Sequence, residues 1–179
     1  MRLIVLFLLL TSFTTFAQVG DAFPDMETES LTHNIISIPE DIKGKYSLLC
    51  LAYSKKAEED LTHWFSPIYN HFISEPQDLF SFNYDINAFF IPMFTGAKRP
   101  AYKKVMKKVQ ETVDPRIQPH VLFYEGTLVE YRTKLEFDDA KRPYFYVVDP
   151  EGKIIHATSG EYTDRKMQEI INALAPSLN

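Results

Sequence analysis

Two hydrophobic periods divide this chain. SLLCLAY (47–53) is an unbroken apolar run, the pattern of a strand covered on both faces within a sheet. At Ser54 the period changes to that of a helix. Ser54 is a good N-cap, Glu58, Glu59 and Asp60 suit the positive end of a helix dipole, and Leu61, Trp64, Phe65, Ile68 and Phe72 form one apolar stripe. Pro67 inside that stripe predicts a bend.

The remaining blocks alternate in the same way. Short extended pieces around METESL and NIISIP, punctuated by Pro24, Pro39 and Gly44, predict an N-terminal hairpin. The aromatic, β-prone stretch 80–94 predicts a strand in its second half, and 96–113 a helix opened by Pro100. HVLFYEG (120–126) reads as a strand and 127–137 as a short helix. RPYFYVV, DPEG and KIIHATSG then predict a hairpin, and a last helix sets Met167, Ile170, Ile171 and Leu174 on one face. Strands alternating with helices, closed by a hairpin and a helix, predict an α/β fold with a central mixed β-sheet flanked by helices.

The start of the chain changes this picture only at its edge. A lone Arg2, an apolar run from Leu3 to Leu10 and a small-residue approach to Ala17 have the layout of a secretory signal peptide. The expectation is residues 1–17 as signal and 18–179 as a single domain, exported to a periplasmic or extracellular compartment. The apolar block is short for a membrane span, and an uncleaved anchor is the competing reading. With 179 residues, 45% of them hydrophobic, the chain can bury one substantial core. Its formal charge is −5, and −6 once Arg2 leaves with the signal, so nothing electrostatic favours nucleic acid.

The element order and three passages, VGDAFPD, GKYSLLCLAY and KRPYFYVVDPEGKI, resemble the thioredoxin-like superfamily. DLTHWFSPIY, FIPMFTG and YFYVVDPEGKIIHATSGEYTDRKMQEI are similar, more closely, to the assembly factors of the mitochondrial ATP synthase and their bacterial homologues. The superfamily resemblance implies a Cys-x-x-Cys, or one peroxidatic Cys, at the start of the helix after the first central strand. The dipole at that point lowers a thiol pKa. In this chain Lys56-Ala57-Glu58-Glu59 falls there, without a cysteine. The resemblance also implies that Pro143 opens the hairpin strand through a cis bond. That would bring Arg142, Pro143 and Tyr144 beside the Ser54–Glu59 turn as two walls of a groove.

The sole cysteine, Cys50, lies in mid-strand, where apolar neighbours would raise its pKa, and it has no partner for an internal disulfide. It is expected to be a core residue, with a catalytic thiol as the alternative. His63 and His71 stand about 12 Å apart along one helix, while His33, His120 and His156 lie in separate elements, so no metal site is expected. Lys103, Lys104, Lys107 and Lys108 make a basic stripe that reads as a solvated face, or as a contact with acidic partners or membrane headgroups.

The sequence therefore predicts an exported thioredoxin-like module without the redox dithiol and without a cofactor. Such a module would bind a protein or peptide partner through Ser54, Lys56, Glu59, Trp64, Arg142, Pro143 and Tyr144. Two alternatives stay open: a single-cysteine thiol-disulfide oxidoreductase or peroxidase using Cys50, and a membrane-peripheral protein.

Overall fold

The computed structural model describes residues 19–74 and 84–177. The expected signal segment and residues 80–83 of the 80–94 stretch lie outside these residues.

Seven strands form one mixed sheet in the order β2-β1-β5-β4-β3-β6-β7. They are β1 (Met26–Ser30), β2 (Ile35–Ile38), β3 (Tyr46–Ala52), β4 (Ile86–Thr95), β5 (Leu122–Gly126), β6 (Tyr144–Val148) and β7 (Ile154–Ser159). Strand β3 runs parallel to β4 and antiparallel to β6, while β4 runs parallel to β5. The N-terminal hairpin β1–β2 joins this sheet antiparallel to β5, as the sequence predicts for an N-terminal hairpin. Ahead of it, Gly20 to Phe23 is tied to the far end of the chain: Gly20 N–H donates to the Ile154 carbonyl and Phe23 N–H to that of Gly152.

The apolar run in β3 follows from cover on both faces. Leu48 and Cys50 pack with Phe90, Phe145 and Val147 under helices α1 (Lys55–Ile68) and α4 (Asp164–Leu174). Leu49 and Leu51 point the other way, into a cluster containing Ile91, Tyr144 and Tyr146 together with Tyr131 of α3 (Val129–Lys134). Helix α2 (Tyr102–Thr112) lies on the α1 side, where Tyr102 and Met106 cover Phe94 and Phe123.

Two prolines refine the predicted helices. Pro67 lacks the N–H that would serve the exposed turn at His63, and the α-helix gives way at Ile68 to a π turn, Tyr69–Ile73, closed by Ser74 N–H on the Tyr69 carbonyl. Pro100 does not open α2. The stretch Gly96–Ala101 is a 3₁₀ turn, and regular helix starts at Tyr102, because Pro100 offers no N–H to the Gly96 carbonyl and Gly96 itself has φ +53°.

Trp64 fastens α1 to the sheet. Its ring is fully buried, 4.1 Å from the Phe145 ring centroid and edge-on to Tyr162, and its indole N–H donates to the Gly160 carbonyl at 3.0 Å. Trp64→Phe keeps an aromatic ring but leaves a buried carbonyl without its donor, an expected loss of about 2 kcal/mol. Thermal unfolding of the variant should show a midpoint lowered by roughly 4–8 °C. An unchanged midpoint would remove the indole–carbonyl bond from the forces holding α1.

Candidate functional site

The C-terminal ends of β3, β4 and β5 and the start of β6 meet at one end of the sheet, and the β3–α1 turn lies there. Ser54 caps α1 as predicted: its backbone is extended and its Oγ accepts the Ala57 N–H at 3.0 Å. The four positions that would hold a dithiol carry a hydrophobic anchor and salt bridges. Ala57 is fully buried. The Lys56 ammonium bonds the carboxylate of Asp60, whose side chain is only 8% exposed, and this bond raises the Lys56 pKa. Glu58 pairs with Lys98 at 3.2 Å, and Glu59 with Lys55 at 3.9 Å.

The acidic triplet therefore does more than complement the dipole, since each of its members faces a cation. Asp60 lies on the buried face because it falls three residues after Ala57 and four before Trp64. Nothing near Glu58 in sequence announces Lys98, its partner across 40 residues.

Cys50 is fully buried in the middle of β3, flanked by Phe90 in the parallel register and Phe145 in the antiparallel one. Burial pushes its thiol well above the usual range. The thiol points into the α1–α4 side of the core, away from the turn.

The predicted groove is only partly assembled. The register Leu51↔Tyr144 sets the start of β6 beside the end of β3, so the 142–144 segment does adjoin the Ser54 turn. The Arg142–Pro143 bond, however, is trans, and the cis peptide among the described residues lies at Ile38–Pro39. A trans bond is the default for X-Pro. The Pro143 carbonyl accepts the Gly160 N–H, and Arg142 before it pairs with Asp138.

Arg142 donates to both oxygens of Asp138 at 2.6 and 2.7 Å, and its guanidinium lies over the Tyr144 ring. Tyr144 donates to Asp138 and stacks on Tyr53 and Phe137, so three aromatic rings fill the space between the walls. Trp64 belongs to the core on the opposite face. Arg142 and Tyr144 instead border a cleft of about 220 Å³ with Leu135, Glu136 and Ser159.

Two further clefts lie near this end. A furrow of about 400 Å³ runs between α1 and the segment after α2, lined by Leu61, Phe65, Phe90, Pro92, Ile117 and Val121 together with Glu58. The other, about 420 Å³, opens beyond the ends of β4 and β5 and is lined by Arg99 and Arg132 among others. Sequence reading missed both, because each joins segments more than twenty residues apart.

The other candidates are dispersed. His63 and His71 are exposed on α1 and the π turn, His33 bonds Glu29, His120 bonds the Ala88 carbonyl, and burial lowers the His156 pKa. Among the described residues no three His, Cys, Asp or Glu side chains converge as metal ligands. Lys103, Lys104, Lys107 and Lys108 are exposed on the outer face of α2, where Lys107 faces Glu111. No helix among the described residues is long and apolar enough to cross a membrane.

Solved structures share this architecture at low identity. Copper-bound yeast Sco1 is 16% identical, with a TM-score of 0.51 over 90% of this chain and 94% of that one. BsSco, of the Sco family of cytochrome c oxidase assembly proteins, is 15% identical, with a TM-score of 0.54 over 86% and 94%. The exposed lipoprotein thioredoxin Etrx1 of Streptococcus pneumoniae is 13% identical, with a TM-score of 0.55 over 86% and 99%. These likenesses establish the thioredoxin-like fold. A search of curated proteins returns no match. The family pattern described as ATP10 protein matches residues 17–175. With that match spanning nearly its whole length, on a thioredoxin-like fold, the chain belongs to the ATP10 protein family of assembly factors.

Proposed function

We propose that this protein is an exported, redox-silent assembly module that works by holding a protein or peptide partner at the end of the sheet where thioredoxin-like enzymes keep their thiols. One observation carries the reading. The β3–α1 turn is built from Lys56, Ala57, Glu58 and Glu59 with their salt-bridge partners, while the one cysteine is sealed in mid-strand. A disulfide switch within one chain, such as BsSco is described as having, takes two cysteines, and this chain has one. With the thiols gone, the turn still offers an ordered, charged surface next to two open clefts. Residue content and surface shape both favour binding over electron transfer.

The competing reading, a one-thiol oxidoreductase or peroxidase, needs Cys50 to meet its substrate. Cys50 should resist a thiol reagent in the native protein at neutral pH and react at once in denaturant, because burial removes both access and thiolate. Peroxide and disulfide turnover should be at background and the same in Cys50→Ala. Rapid native labelling, or turnover lost on that substitution, would establish the enzyme instead.

Export is supported by the layout of residues 1–17. Mass spectrometry of protein recovered from the extracytoplasmic fraction should find a chain beginning at Gln18; a chain retaining Met1 would replace the signal with an anchor. Placing Trp at both Lys56 and Glu59 should weaken retention of a cross-linked native partner by about tenfold. Undiminished retention would move the binding surface away from the turn.

A further inference from the structure

The cleft beyond the C-terminal ends of the parallel strands β4 and β5 is lined by two arginines whose hydrogen-bonding capacity is largely unused. Arg99 donates through Nε to Glu125 at 3.3 Å, and among the described residues its two Nη groups have no partner. Arg132, on α3, makes no side-chain hydrogen bond or ion pair among them. Two unsaturated guanidinium groups on one wall stand out in a chain of net charge −5. Each presents a planar fork suited to a carboxylate.

The rest of the lining is of a different kind. Val129 is 77% exposed, the most exposed of the large apolar residues, and it stands at the rim beside Arg132. Thr95 and Thr127 add hydroxyl groups to a mainly apolar wall. The Gly126–Thr127 turn that lines the cleft is fixed by Tyr124, whose hydroxyl donates to the Thr127 carbonyl and accepts the Thr127 N–H. Only glycine fits at 126, since a Cβ there would fall 2.2 Å from that hydroxyl. The volume, about 420 Å³, lies within the range of small-ligand sites.

Guanidinium groups beside an exposed apolar rim fit an ion that carries an apolar neighbour. A lone inorganic anion would satisfy the arginines and leave Val129 in water. We propose that this cleft receives an extended segment of the partner protein in which a Glu or Asp carboxylate, held by Arg99 and Arg132, is followed by an aliphatic side chain packed on Val129. This assignment rests on the binding-module reading and gives the partner's contact its chemistry.

The test is titration of the ¹⁵N-labelled full-length chain with the peptide Ac-ALEVDA-NH2, its amide counterpart Ac-ALQVNA-NH2, and inorganic phosphate. The acidic peptide should shift the amide signals of residues 95–99 and 126–132, saturably and less at high salt. The amide peptide should bind at least about tenfold more weakly, and Arg99→Gln with Arg132→Gln should cause a similar loss. Equal binding of the two peptides, or unchanged affinity in the double variant, overturns the site. So does phosphate moving the same signals as strongly as the peptide, which would mark a simple anion site. Shifts gathered instead along the α1–α2 furrow would overturn the cleft while leaving the binding-module reading standing, whereas that reading falls on the Cys50 measurements.

Discussion

Strand β3 has neighbours on both edges and helices or loops over both faces, and the rest of the molecule is arranged around that confinement. Its parallel pairing with β4 and antiparallel pairing with β6 bring the end of one strand and the start of the other to the same place. Its two apolar faces need α1 and α4 on one side and the aromatic cluster around Tyr146 on the other. A cysteine in the middle of such a strand is a packing residue by geometry. The turn where β3 leaves the core and enters α1 carries no cysteine.

That turn is stabilised by charge pairing of mixed depth. The Glu58–Lys98 and Glu59–Lys55 pairs are exposed and contribute little energy. The Lys56–Asp60 pair is different, because its carboxylate is nearly sealed under α1, and removing the lysine would leave a buried charge unmatched. The Lys56–Asp60 pair thus ties the first turn of α1 together, and no cysteine stands in that turn.

Much of the fold was legible in the sequence because it depends on local periodicity: the unbroken 47–53 run, the Ser54 cap, the Leu61-to-Phe72 stripe and the Met167-to-Leu174 stripe each specify their element without reference to distant residues. What escaped reading depends on three-dimensional closure. The trans bond at Pro143 is the ordinary state of an X-Pro bond, and an expectation carried over from resemblance alone had no local residue to correct it. The stacking of Tyr53, Phe137 and Tyr144 joins three segments and fills what the sequence reading took for an open groove. The convergence of Arg99 and Arg132 depends on the register Thr95↔Gly126 between two parallel strands, which no local pattern encodes. Asp60 was read only as a complement to the helix dipole, although its spacing from Ala57 and Trp64 sets it on the buried face of α1.

The bonds between Gly20–Phe23 and Gly152–Ile154 couple the beginning of the domain to its last hairpin. A chain emerging from the ribosome exposes the first of these segments more than a hundred residues before the second exists. The leading segment therefore finds these backbone partners only in the last hairpin, and its order depends on residues at the other end of the domain.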